Sequence, residues 1–231
     1  MSTTPIIALD VPTPEDALEL VEDLGTRCQF YKVGIELFTA AGPPIVRALR
    51  ARGCDVFLDL KFHDIPNTVA GGVRNAVSLG ANLVTVHASG GTAMLEAAVG
   101  AAGDRCGVLA VTVLTSLSAT EVADSWGRTD GVEVGAEVLR LASAAAAVGA
   151  HGIVCSGRET HLVRKHFGDR LDVLVPGVRA AGAKSHDQVR IVTPAEAVSA
   201  GARYVVLGRM VTAAADRRGA MDQILLELGS P

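Results

Sequence analysis

The sequence predicts a single-domain α/β protein, a (β/α)8 TIM barrel spanning residues 1–231. Three observations carry this. Eight short apolar runs alternate with helical stretches, the pattern of a parallel sheet with right-handed crossovers. Most runs are continuously apolar, as strands buried on both faces are. Polar residues gather at the C-terminal ends of the runs, where a barrel keeps its active site. An open doubly wound sheet shares the alternation, but Leu9-Asp10-Val11-Pro12 follows the first run in place of a Gly-x-Gly-x-x-Gly turn.

In chain order, residues 6–9 form the first strand, ending at Asp10. Thr13 is placed to cap a helix running to Leu24, with Pro12 and Pro14 breaking the strand before it. Residues 30–34 form the second strand, carrying Lys32, and a helix spans about 42–52 behind Pro43 and Pro44. Residues 56–61 form the third strand and 66–80 a helix, weakened by Gly71 and Gly72. Strand 83–88, helix 92–102 and strand 107–114 follow. The polar stretch 115–129 holds a short helix around 121–125, and the long Ala-rich helix covers 132–148. Then come strand 152–156, helix 159–167, strand 171–175, helix 194–200, strand 204–208 and one final helix.

Composition narrows the function. The net charge is -4 and aromatics make up 3% of the chain, which argues against a basic nucleic-acid face or a base-stacking platform. Cys28, Cys54, Cys106 and Cys155 are far apart and read as free buried thiols of a reducing cytosol. No basic segment precedes an apolar run at the N-terminus, and the most apolar helical stretch, 139–150, is too short to span a bilayer. A soluble cytoplasmic protein without a membrane partner is expected.

The chemistry centres on residues 57–68. Val56, Phe57 and Leu58 open a buried strand, and then Asp59, Lys61 and Asp64 appear. Strand alternation points Asp59 and Lys61 the same way. One reading is a buried ion pair closing the strand. The other is a lysine between two carboxylates, which favour the ammonium form and suit it to proton donation. Asp10, Lys32, His87, Thr115, Ser156, Arg179 and Arg209 also lie at or just after strand ends, and so share the predicted mouth. Gly208-Arg209 after the eighth strand, with Arg179, makes a phosphate site, against the alternative of an ordinary turn with a surface arginine. The loop 178–191 is longer than barrel loops need and reads as a lid, against an ordinary surface loop. The six histidines lack metal-ligand spacing: His63 and His87 read as satisfied, and His151, His161, His166 and His186 as solvated. Trp126 packs a loop.

These residues resemble the orotidine 5′-phosphate decarboxylase family along nearly the whole chain. The most specific match is Asp59-Leu60-Lys61-Phe62-His63-Asp64-Ile65-Pro66-Asn67-Thr68. Ala8-Leu9-Asp10, Lys32-Val33-Gly34, Val86-His87-Ala88-Ser89-Gly90-Gly91, Val113-Leu114-Thr115-Ser116, Pro176-Gly177-Val178-Arg179, Asp187-Gln188 and Leu207-Gly208-Arg209 support it. The resemblance implies a homodimeric barrel, without metal or organic cofactor, that converts orotidine monophosphate to UMP and CO2 in pyrimidine biosynthesis. It implies that Lys61 protonates the C6 carbanion and that Asp59 sits against the substrate carboxylate. Lys32 and Asp10 would hold the ribose hydroxyls and join the charged array. Asp64, Ile65 and Thr68 would reach into the partner subunit's site, and Thr115 would lie by the pyrimidine. Arg179, Gln188, Gly208 and Arg209 would bind phosphate. Ala180 and Met210 stand where the family often has proline, which alters backbone stiffness beside the phosphate but not the donors. The resemblance extends to the sister sugar-phosphate enzymes, 3-keto-L-gulonate 6-phosphate decarboxylase and hexulose-phosphate synthase. Those use Mg2+ and carry an acid in place of Lys32. A non-catalytic nucleotide-phosphate binder is the third reading, against which stands the intact Lys61.

Overall fold

The eight runs pair side by side in chain order, and the last closes on the first. In the computed structural model, which describes residues 2–179 and 192–229, they are β1 (Thr4–Ala8), β2 (Phe30–Gly34), β3 (Asp55–Phe62), β4 (Leu83–His87), β5 (Gly107–Val111), β6 (Gly152–Val154), β7 (Asp172–Val175) and β8 (Tyr204–Leu207). All pair in parallel, and β8 meets β1 with Ile7 opposite Leu207. The barrel is therefore closed and has no edge to protect.

Alternation along the strands divides the apolar side chains into two cores. Ile6, Ala8, Phe57, Leu109, Val111, Leu174 and Val206 point inward and fill the barrel. Ile7, Leu9, Val33, Val56, Leu58, Val84 and Val86 point outward and pack under the helices. Both faces pack against apolar side chains, so the strands carry little polarity until they reach the rim.

The helices follow their sequence signals closely. Thr13 caps α1 (Pro14–Leu24), accepting from the backbone N–H of Asp16 at 3.1 Å. After β2 comes α2 (Ile35–Ala41), which the sequence reading leaves unassigned; it is one short segment with no side-chain cap, so no local signal marks it. It is followed by α3 (Pro43–Ala51) and α4 (Pro66–Ser78). Gly71 and Gly72 do not break α4. A Cβ on Gly72 would lie 3.1 Å from the Phe62 ring, so that glycine lets the helix close onto β3. Next come α5 (Thr92–Ala102), α6 (Ala119–Ser125), with its Ser118–Glu121 capping box, and α7 (Val134–Ala147). Then come α8 (Gly157–Phe167) and α9 (Pro194–Ala200). The single C-terminal helix expected is in fact two, α10 (Arg209–Thr212) and α11 (Arg217–Glu227). Asp216 caps the second by accepting from Gly219 N–H.

The four cysteines are free and buried. Burial pushes the Cys28 thiol up to about 11 and Cys106 up to about 12, which keeps them protonated and unreactive near neutral pH. Among the described residues, no helix is long and apolar enough to cross a membrane.

Candidate active site

The C-terminal ends of the strands surround a cavity of about 490 Å3. Its floor is the top layer of the inner core: Ala8, Phe57, Val111, Val154, Leu174 and Val206, from six different strands. Asp10, Lys32, Asp59, Lys61, Thr115, Arg179, Gly208 and Arg209 rise around it. These eight predicted residues are brought together across the whole chain. His87 and Ser156 are not. Ser156 is wholly buried, donating to Glu159 at 2.5 Å and capping α8. Gln188 and residues 180–191 of the expected lid over 178–191, with Ala180 and Asp187 among them, lie outside the described residues. Val178 and Val192 form a parallel bridge, and Arg179 N–H donates to Val192 O at 2.9 Å.

Four charges alternate along one wall. Lys32 Nζ donates to Asp10 Oδ1 at 2.7 Å and lies 3.9 Å from Asp59 Oδ2. Lys61 Nζ donates to both Asp59 oxygens at 2.9 Å. The Lys32 and Asp59 side chains are only 10% and 12% exposed, Lys61 is 32% exposed, and Asp10 is open to solvent. Two cations balance two carboxylates, which makes the burial tolerable. Gly34 leaves room for this wall, since a Cβ there would fall 2.9 Å from Lys32 Nζ.

Simple alternation does not explain how Lys61 meets Asp59. The register of β3 on β4 slips between Leu58 and Phe62: Leu58 pairs with Val84 and Phe62 with Val86, so three residues of β3 stand against Thr85 alone. Lys61 has φ 48°, the left-handed region, and among the described residues it is the one non-glycine with positive φ. The bulge adds an even number of residues, so Phe62 still faces outward. Thr85 closes the arrangement. Its hydroxyl donates to Asp59 Oδ1 and accepts from Lys61 N–H, both at 2.9 Å.

The expectation that Lys61 sits between two carboxylates is corrected within one chain. Asp64 does not reach it; its Oδ1 accepts from Ile65 N–H at 2.6 Å in an exposed turn. Asp64, Ile65 and Thr68 lie on the surface and do not line the cavity. Ile65 is 67% exposed. On the opposite wall a Cβ on Gly208 would lie 3.9 Å from Arg179 Nη1, so that guanidinium is close to the Gly208-Arg209 turn. His63 and His87 stack at 5.2 Å between ring centroids. Burial holds the His87 imidazole below its ordinary range, with His63 and Lys61 pushing the same way, so it stays neutral. His151 is not simply solvated: its Nε2 lies 3.2 Å from Tyr204 OH and 3.3 Å from Asp172 Oδ2 at the far end of the barrel. Trp126, partly exposed, ends α6.

Sequence reasoning missed three features: the apolar floor, Gly34 and Thr85. Thr85 carried a usable signal, a hydroxyl in an otherwise apolar central strand. The floor did not, because its residues look like any other core residues.

A closed parallel barrel with an alternating lysine–carboxylate wall and two arginines around one mouth cavity defines a TIM-barrel enzyme. The chain belongs to the orotidine 5′-phosphate decarboxylase / HUMPS family, whose model matches residues 3–224. An orotidine 5′-phosphate decarboxylase of Alkalilimnicola ehrlichii is 48% identical over 97% of this chain and 96% of its own. One of Methylacidiphilum infernorum is 46% identical over 100% and 99%. Among solved structures, the orotidine 5′-phosphate decarboxylase of Lactobacillus acidophilus superimposes with a TM-score of 0.87 at 34% identity, covering 100% of both chains.

Proposed function

We propose that the chain decarboxylates orotidine 5′-phosphate to UMP and CO2, as one barrel domain, without metal or organic cofactor. The activity comes from its relatives; the mechanism comes from the charged wall. The observation that carries it is Lys61 Nζ, held 2.9 Å from both Asp59 oxygens in a cavity whose other side carries Arg179 and Arg209. Cleavage of the C6–carboxylate bond leaves its electron pair on C6. The Lys61 ammonium stabilises that charge as it develops and delivers a proton to C6, and the resulting amine regains its proton from solvent. Asp59 faces the departing carboxylate. Lys32 and Asp10 hold the ribose hydroxyls, and Thr115 meets the pyrimidine. Arg179, Arg209, Gly208 and Gln188 take the phosphate, whose remote binding energy holds the reacting group against Asp59.

Lys32 supports the metal-free reading over the Mg2+-dependent sister enzymes. Its ammonium already occupies the space between Asp10 and Asp59, and it would repel a divalent ion there. The exposed Ile65 beside Asp64 supports a homodimer in which Asp64, Ile65 and Thr68 complete the partner subunit's site. We place the enzyme in pyrimidine biosynthesis in the cytoplasm, with no nucleic-acid or membrane partner. The test is loss of orotidine monophosphate absorbance in the presence of EDTA. Full turnover is expected; turnover abolished by EDTA and restored by Mg2+ would establish the sister chemistry instead.

A further inference from the structure

Thr85 is wholly buried in the centre of β4. A hydroxyl there is costly unless its hydrogen bonds are made, and both go to the charged wall. Its oxygen accepts the Lys61 backbone N–H, which has no acceptor capacity, so the single hydroxyl proton is committed to Asp59 Oδ1. Asp59 Oδ1 in turn accepts from Lys61 Nζ. The three residues thus form a closed ring: Thr85 holds Lys61 by its main chain and Asp59 by its carboxylate, and the Lys61 side chain joins the two. The strained left-handed backbone of Lys61 lies inside this ring, where the register of β3 slips opposite Thr85. A threonine side chain has few rotamers, so it makes a stiff anchor.

We propose that Thr85 is the positioning residue of the Asp59–Lys61 pair: one buried hydroxyl sets the left-handed turn that aims the lysine and fixes the rotation of the carboxylate it must face. The inference rests on the decarboxylation proposed above. Without the hydroxyl, Asp59 can rotate and Lys61 can relax toward ordinary backbone. The pair remains in the cavity but loses its aim, so the loss falls on kcat and not on nucleotide binding.

The test compares Thr85→Val, which keeps the shape, with Thr85→Ser, which keeps the hydroxyl. Thr85→Val should lower kcat roughly 10- to 100-fold, the range for removing an outer supporting hydrogen bond, while KM and UMP affinity stay within about twofold. Thr85→Ser should stay close to the parent enzyme. A crystal structure of Thr85→Val should show Lys61 out of the left-handed region or Asp59 rotated. If the valine variant does not fold, Thr85→Ser against Thr85→Ala gives the same comparison, since both lack the methyl group and only serine keeps the hydroxyl. Parent-like kcat without the hydroxyl, a serine variant as slow as valine or alanine, or an unmoved Asp59–Lys61 pair in the slow variant would each overturn the role. A parent enzyme that leaves orotidine monophosphate unchanged would refute the proposed activity instead, and the crystallographic arm would still decide whether Thr85 positions the pair.

Discussion

Strand β3 carries an aspartate at each end of the barrel. At the N-terminal rim, Asp55 accepts from Arg50 Nη1 at 2.8 Å and from Asn82 Nδ2 at 2.9 Å. Arg50 also donates to Cys54 O, and Asn82 Oδ1 accepts Val56 N–H, so the cluster satisfies backbone groups at the start of β3. Arg50 is 37% exposed and Asp55 52%. At the mouth, Asp59 is 12% exposed and lies between two lysines on the wall of the cavity. The chemistry of the pairs is alike. What differs is solvent: the outer pair is screened and stabilises modestly, while the inner array lies in a low-dielectric wall where a substrate's charge is strongly felt. Burial and the adjoining cavity, not the presence of an ion pair, separate a site from a fastening.

The sharpest way to break this comparison is at Lys61. Lys61→Ala should lower kcat by at least roughly 10²- to 10⁴-fold, the contribution of a positioned proton donor, while UMP still binds. Near-normal kcat would make the mouth array another fastening. The same variant tests the shared site. Asp64→Ala should also be severely impaired, and mixing equal amounts of the two variants should return about a quarter of full activity, because half the random dimers carry one intact site. No recovery, with subunit exchange confirmed by mass, would leave Asp64 serving its own chain.

A smaller effect is expected across the cavity. Arg209→Ala should weaken UMP far more than uridine, by roughly 1.5–3 kcal/mol for a charged hydrogen bond, read by calorimetry on both ligands. Equal weakening would place the phosphate elsewhere. The smallest effect belongs to the outer cluster. Arg50→Ala should leave kcat unchanged and cost about 1 kcal/mol of stability, a Tm decrease of roughly 2–4 °C for a chain of this size. A fall in kcat there would mean that the two ends of β3 are coupled.

Much of the molecule was legible from local chemistry. Thr13 caps its helix as the sequence predicts, since a capping signal depends on a few neighbouring residues; the structure adds the capping boxes of Ser118 with Glu121 and Thr193 with Glu196, which the sequence reading did not name. The inner and outer cores were implied by continuous apolar runs. Helix α2 was not legible, because no cap and no long periodicity announce it. The split of the C-terminal helix escaped as well, although Asp216 marks the start of its second part.

The barrel and the residue types at its mouth could be read from short stretches of chain, because alternation, caps and strand-end charges are local properties. How those charges meet is a matter of the folded barrel. Alternation put Asp59 and Lys61 on one face, but the contact depends on a register slip against β4 and a left-handed lysine. The Thr85 hydroxyl, 24 residues further along the chain from Lys61, is hydrogen-bonded to both residues at that point. Gly34 makes room for the ammonium of Lys32, and the floor draws one side chain from each of six strands. Contacts between residues so far apart in the chain arise only when the barrel closes, since closure sets which strands lie side by side and in what register.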